Sequence, residues 1–397
     1  MSDSDVLTEA DIVVIGAGVM GSSIAYQLGR QTNQKVVVVD QSPPLGGMSG
    51  RTFGQVRLHY SNILMLKMAQ YGQRVFSDWA NVVGYGDSGY VPMGYLLNVV
   101  QDQLEALHRN IDLARGLGID TKFVTPAEIG ALEPVINTEG LMGGVYDPLG
   151  GFIDVTRIVL SYLTAAQESG VRVMTGLQVA AIDTAGGAVA GVFTNNGLIK
   201  APRVVTAAGA WSAGLLAPLG IDLPLEMRRL DMMYMTPGSG GGLVNGCVTD
   251  GNSNIVIRPG MGREFLAAAY PAEMPLVSDP ASTAGADADR EQVVRIEKSL
   301  SERFPGLVGA QPRRSVSGTY DITPDWHPVL GWVPGISGLY LAAGFSGHGL
   351  KLAPAVGEVV AAALLQTDPP FDVHPLRFER FAEDDLMYLA YGPGARG

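Results

Sequence analysis

The sequence predicts an α/β protein: a parallel sheet flanked by helices, interleaved with a second region built on a mostly antiparallel sheet. Three observations predict it. Residues 11–40 run as apolar strand, helix and apolar strand, a βαβ unit whose strands lack alternation, as in a parallel sheet covered on both faces. Residues 171–209 read as strands with hairpin turns, and 224–270 are strand-rich. Residues 339–366 return to the first pattern, a short apolar strand leading into an apolar helix.

The elements follow in order. DIVVIGAGVM is a short buried strand that runs into glycines, SSIAYQLGRQ has helical spacing at Ile24, Ala25 and Leu28, and KVVVVD is a second strand ending in an acid. Residues 61–80 read as a helix, 91–100 as a strand and 102–117 as an amphipathic helix. Thr125-Pro126-Ala127-Glu128 predicts a helix start, with Thr as N-cap, Pro at N1 and Glu closing a capping box. VRVMTGLQVAAID, AVAGVFTNNGLIKA and RVVTAAG predict strands joined by tight turns. The strands of 224–270 are interrupted by a Pro-Gly-Ser-Gly-Gly-Gly loop at 237–242, and 289–303 is a charged amphipathic helix. The tail from Phe378 reads as a short helix and a frayed end.

Composition bounds the function. Of 397 residues, 47% are apolar and only 17% charged, which excludes an intrinsically disordered chain. Glycine is the outlier at 52 residues, close to twice the usual share, so many close backbone approaches are expected. The formal net charge of -12 and the absence of any Lys/Arg run argue against a nucleic-acid partner. The single cysteine, Cys247, cannot form an internal disulfide, which favours a cytoplasmic home. The start, MSDSDVLTEAD, lacks the order of a signal peptide, and no run of 18 apolar residues predicts a membrane span. The five histidines show no zinc-ligand spacing, and no metal site is expected.

Gly16-x-Gly18-x-x-Gly21 sits between the first strand and the first helix, and Asp40 ends the next strand. Gly16 allows the tight turn, Gly18 lets a pyrophosphate approach the backbone, and Gly21 lets helix and strand pack closely. The helix N-terminus offers N–H groups to phosphates, and Asp40 can accept from a ribose hydroxyl. Strand, glycines, helix, strand and acid together predict a Rossmann-like dinucleotide site, and an acid at position 40 argues against a 2′-phosphate. The motif does not by itself separate FAD from NAD. In GFSGHGLKLAP, glycines 344, 347 and 349 end a strand and open a helix near Lys351. A cation in a first helical turn is unfavourable, which favours a ligand for Lys351 over a solvated position.

Four stretches, spread over most of the chain, resemble the D-amino-acid oxidase superfamily, and within it the sarcosine and glycine oxidase branch. They are DIVVIGAGVMGSSIAYQL with VVVVD, SGRTFGQVRLHYS, VVTAAGAWS, and GTYDITPDWHPVLG with LYLAAGFSGHGLKLAPAVGE. GGVYDPLGGFID fits more loosely. The resemblance implies an FAD domain in three pieces, 1–85, 150–220 and 316–397, with a substrate domain from 86–149 and 221–315. It implies cofactor contacts at Gly16, Gly18, Val19, Met20, Gly21, Asp40 and Gln41. Further contacts are implied at Ser49, Gly50, Arg51 and Gln55 of the arm, and at Val179, Ala208, Gly209 and Trp211. The last set is Gly344, Gly347, His348, Gly349, Leu350 and Lys351. Arg57 and Lys351 would clamp a substrate carboxylate, a guanidinium fork beside a point ammonium. A structural salt bridge is the competing reading of Arg57, and core packing that of Tyr320, which matches a pocket-lining tyrosine. His59 and His348 would either contact substrate or make backbone hydrogen bonds.

The implied activity is FAD-dependent oxidation of a secondary or primary amino acid of sarcosine, N-substituted glycine or glycine type. The imine product would hydrolyse in water, and O2 would accept electrons to give H2O2. A D-amino-acid or 2-hydroxy-acid dehydrogenase is the alternative within the superfamily. A flavin-binding subunit of a complex and an NAD-dependent dehydrogenase are alternatives of other classes. Two positions depart from the family. Gly318 stands where monomeric sarcosine oxidases carry their flavin-linking cysteine, so non-covalent FAD is expected. NIVIRPGMGREFLAAAY lacks the lysine that aids oxygen; either Arg258 or Arg263 would stand in for it, or oxygen would react slowly and another electron acceptor would take its place.

Overall fold

In the computed structural model, residues 6–283 and 285–392 are described, so residues 393–397 of the expected tail and the first five residues lie outside it. A six-stranded sheet forms one half of the molecule. Its strands run, edge to edge, Arg172–Thr175, Val36–Asp40, Ile12–Ile15, Val204–Thr206, Leu339–Ala343 and Val329–Trp332. All are parallel except the last, which pairs antiparallel with Leu339–Ala343. Helices Val19–Gln31, Ile63–Ser77, Val155–Glu168 and Gly349–Leu365 cover one face. A smaller sheet of Val6–Glu9, Gly197–Lys200, Ala188–Thr194 and Val179–Ala185 covers the other. Ile12 and Val14 accordingly join the helical core while Val13 and Ile15 join the core against the smaller sheet. Two buried faces are why these strands read as unbroken apolar runs.

A mixed eight-stranded sheet forms the other half. Its order is Gln311–Ile322, Glu226–Thr236, Phe265–Ala269, Ile255–Pro259, Cys247–Asp250, Tyr95–Asn98, Gly144–Asp147 and Lys122–Val124. Only the pair of Cys247–Asp250 with Tyr95–Asn98 is parallel. Helices Pro126–Leu132 and Arg290–Arg303 pack on one face. The opposite face carries Leu230, Met232, Val256 and Ala268 toward a cavity against the six-stranded half.

The capping box at Thr125 is present in full. Other elements depart from the sequence expectation for local reasons. The strand expected over 91–100 breaks into Val91–Pro92 and Tyr95–Asn98 at Gly94, whose φ is 84°. The tail holds two 3-10 turns, His374–Leu376 and Phe378–Phe381, in place of a helix. The strand Val6–Glu9, the helix Val155–Glu168 and the long strand Gln311–Ile322 were not anticipated. Among the described residues no helix is long and apolar enough to cross a membrane, and no cluster of His, Cys, Asp and Glu could hold a metal ion.

Candidate active site

A cavity of about 460 Å³ runs between the two halves, from Asp40 at one end to Arg57, Tyr320 and Lys351 at the other. At the first end, Gly16 has φ 107°, and a side chain there would strike the Ala207 carbonyl oxygen. A Cβ on Gly21 would strike the Gly16 carbonyl oxygen, so the first helix starts hard against the turn. Both observations match the mechanical demands of a dinucleotide turn. Asp40 closes the loop: its Oδ2 accepts from the Ala17 N–H at 2.7 Å and its Oδ1 from Ser42 at 2.8 Å. Burial raises its pKa, and the two N–H donors oppose that. Each carboxylate oxygen retains a lone pair for a further donor. Ser49, from the arm after the second strand, accepts from the Val19 N–H at 2.9 Å and ties that arm to the helix start.

Gly16, Gly18, Val19, Met20, Asp40, Gln41, Ser49, Arg51 and Gln55 all line this cavity. So do Val179, Ala208, Gly209, Trp211, Gly347, Gly349, Leu350 and Lys351. Five expected residues do not. Gly21 and Gly50 lie one layer behind, where a side chain would strike the carbonyl oxygens of Gly16 and Leu45. Gly344 packs on Thr323. His59 and His348 are buried behind Arg57. The arm contributes more than expected: Met48, Thr52 and Phe53 also line the wall. So do Tyr270 and Asp321, which sequence reasoning missed; a tyrosine after an apolar strand and an acid in GTYD carry no distinctive spacing.

At the far end, Arg57 and Lys351 come from different elements to one place. Arg57 follows the short strand Gln55–Val56, and Lys351 is the third residue of the helix Gly349–Leu365. Their exposures are 3% and 5%. Arg57 donates from Nη1 to the His59 carbonyl and from Nη2 to His348 Nδ1 at 3.3 Å, and its guanidinium lies 4.1 Å over the Tyr60 ring. His348 must accept at Nδ1, so its proton sits on Nε2. Burial first, then the Arg57 and Lys351 charges, hold its pKa well below the usual histidine value. His59 is likewise pushed down to about 3 by burial and by Arg57, and its Nε2 pairs with the Tyr391 hydroxyl at 2.6 Å. The two histidines therefore support the arginine fork as neutral groups.

Lys351 donates to the His348 carbonyl at 3.2 Å. No carboxylate pairs with it among the described residues, and burial together with the Arg57 charge depresses its pKa strongly. Gly347, at φ 80°, gives the turn room, since a Cβ would lie 2.6 Å from the Tyr320 ring. The Tyr320 hydroxyl meets that of Tyr270 at 3.2 Å. Arg57 as a fixed buried cation, with the Lys351 amine beside it able to take up a proton, makes this cavity wall a receptor for a small anion.

Gly318 lines the cavity with no side chain to offer. Cys247 is buried in its strand, its thiol pushed up to about 12 by burial, and it is absent from the lining. Arg263 bonds the Gly241 carbonyl at 3.0 Å, out in the glycine-rich loop. Arg258 is buried between the Phe53 and Phe152 rings and donates to the Phe53 and Pro259 carbonyls.

A dinucleotide turn opening one end of a cavity that the eight-stranded sheet closes is the frame of a nucleotide-dependent oxidoreductase, and the family match makes the nucleotide FAD. The family model described as FAD dependent oxidoreductase, DAO, matches residues 11–363, and the chain belongs to that family. It is 27% identical over 384 residues to mitochondrial sarcosine dehydrogenase of Homo sapiens, covering 94% of this chain and 41% of that protein. It is 25% identical over 380 residues to the mitochondrial pyruvate dehydrogenase phosphatase regulatory subunit of Mus musculus, covering 94% of this chain and 43% of that one. The chain thus spans less than half the length of these curated relatives. Among solved structures, L-proline dehydrogenase from P. horikoshii superposes with a TM-score of 0.87 at 24% identity, covering 96% of this chain and 100% of that one. Glycine oxidase from Geobacillus kaustophilus superposes with a TM-score of 0.81 at 23% identity, covering 94% and 99%. These two likenesses are of fold.

Proposed function

We propose that this chain oxidises an amino acid of sarcosine, N-substituted glycine or glycine type, with O2 as electron acceptor. The observation that carries the reading is the convergence of buried Arg57 and Lys351 on the inner end of the FAD cavity. FAD, when bound, supplies the two-electron acceptor for the C–H bond beside the amine nitrogen, and O2 would take those electrons on to H2O2. The turn at Gly16–Gly18, the first helix and Asp40 would hold its nucleotide half. Phe53, Val256, Ala268 and Tyr320 would flank its ring. Gly318 on the wall and a remote Cys247 support non-covalent binding.

The protein's own groups bind and orient. Arg57 and Lys351 take the carboxylate, which places the amine and its α-carbon at a fixed depth. Tyr320 and Tyr270 offer hydroxyls to that space. The apolar wall of the eight-stranded sheet excludes water from the reacting C–H, and the imine hydrolyses once it meets water. We further propose that the chain divides as its sheets do, the six-stranded half carrying the cofactor and the eight-stranded half the substrate.

Anaerobic addition of amines to the flavin-loaded protein tests this. Bleaching by N-substituted glycines and not by lactate or D-alanine is expected; bleaching by lactate or D-alanine alone would overturn it. A second reading, a flavin-binding subunit of a larger complex, is favoured by the relative named as a regulatory subunit. Flavin that binds tightly and is bleached by no amine or hydroxy acid would select it.

A further inference from the structure

A second cavity, of about 740 Å³, adjoins the first and shares Gln55, Arg57, Val256 and Tyr270 with it. Arg57 stands at the junction, while Lys351 lines the inner cavity only. The outer chamber has an aromatic and apolar wall that includes Tyr95, Tyr270, Met274, Ile322 and Trp326. Trp326 holds an unusual backbone conformation, φ 57°, which a bulky residue adopts only when its surroundings impose it. Here they do. The preceding Asp325 accepts from Nε and Nη2 of the fully buried Arg380, at 2.8 and 2.9 Å. The following His327 donates its N–H to the same carboxylate at 3.2 Å. The turn is braced on both sides of the tryptophan that it presents to the chamber.

Charge is graded along this chamber. Arg57 makes the inner end positive. At the outer rim stand Asp222, Glu226 and Glu273, with Arg228 the one lining cation there, paired to Glu226 at 2.8 Å and Glu273 at 3.1 Å. Asp250 is buried and compensated by Arg303 at 3.1 Å. The outer end is therefore net negative.

A methyl group fills roughly one water's share of such a space, about 30 Å³. We propose that the amine oxidised here carries a substituent of ring size or larger, seated against Tyr95, Tyr270 and Trp326, and that the acidic rim bars a second carboxylate. The proposal rests on the amino-acid oxidation reading and names its substrate class: one carboxylate inward, a bulky neutral or basic group outward.

The test is anaerobic flavin reduction of the holoenzyme by N-methylglycine, N-benzylglycine and N-(carboxymethyl)glycine. Half-saturation by the benzyl compound roughly tenfold or more below that of the methyl compound is expected, with the dicarboxylate weakest. Equal or better use of N-methylglycine, or preference for the dicarboxylate, would overturn it. Trp326→Ala should lower the benzyl-to-methyl ratio; an unchanged ratio counts against the seat. Glu273→Lys, on the exposed rim, should improve the dicarboxylate about two- to fivefold, and no improvement removes the rim's role. If no amine reduces the flavin, the oxidation reading fails by itself. Perturbation of the flavin spectrum by phenylacetate and acetate then decides the chamber: roughly tenfold tighter phenylacetate sustains it, and equal affinities overturn it.

Discussion

The proposed carboxylate clamp turns on two buried residues at the end of the cofactor cavity, Arg57 and Lys351. Arg57 is held by the His59 carbonyl, His348 Nδ1 and the Tyr60 ring, so its fork is oriented before any ligand arrives. Replacing Arg57 or Lys351 by Ala should weaken a carboxylate inhibitor by roughly 2–5 kcal/mol, measured by titration of the flavin spectrum. Equal affinity in variant and parent would remove the clamp. Lys351 adds a pH signature. Burial and the Arg57 charge hold its pKa well below that of a free lysine, and a bound carboxylate opposes both effects and raises it. Binding should therefore take up a proton, and affinity should fall as pH rises from the free-state pKa to the bound-state one. Lys351→Met should flatten that dependence; affinity that climbs with pH would contradict the assignment. That Arg57 and Lys351 both reach this cavity was legible in the sequence, because the arm and the Gly-His-Gly turn carry family patterns. The neutral role of His59 and His348 was not, since local sequence does not say which of two buried groups lies in front.

At the scale of elements, close backbone approach sets the cofactor end. The first helix meets its own turn at Gly21. Gly21→Ala should cost roughly 1–3 kcal/mol of stability and release flavin on dialysis; full retention would argue that the turn can shift without loss. This approach was readable from the glycine spacing. A second approach was not. Gly72, inside the helix Ile63–Ser77, packs directly on the Lys351 carbonyl and near the Pro354 ring. The helix that presents Lys351 is thereby seated by a glycine that looked like an interior residue of an ordinary helix. Local periodicity records which face of a helix is apolar, and it does not record how near the neighbouring backbone comes.

For the whole molecule, the parallel βαβ unit and the antiparallel strands were legible as patterns, and their assembly was less so. The pairing of Val6–Glu9 with Gly197–Lys200 joins segments almost two hundred residues apart, and the twelve-residue strand Gln311–Ile322 finds its register only against Glu226–Thr236. Such pairings depend on distant partners rather than on local composition. Stability offers a test of the far side of the eight-stranded half. Glu133 is buried, with Oε2 accepting from Asn245 and Gly246, and burial raises its pKa to about 7. Its folded pKa lies above the unfolded value, so its contribution is full below about pH 4.5 and is lost as pH rises through about 7. Glu133→Gln should lack this slope, so its stability relative to the parent should improve between pH 5 and 8 by on the order of 3 kcal/mol, read by chemical denaturation. A constant difference across that range would contradict the raised pKa.

With a cofactor end joined to a carboxylate-binding end in one cavity, flavin reduction should require the substrate carboxylate. The flavin-loaded protein is mixed anaerobically with an N-substituted glycine and with the matching amine that lacks the carboxylate. Bleaching of the flavin by the amino acid, with little or none by the decarboxylated amine, is expected. Equal bleaching by both would contradict it.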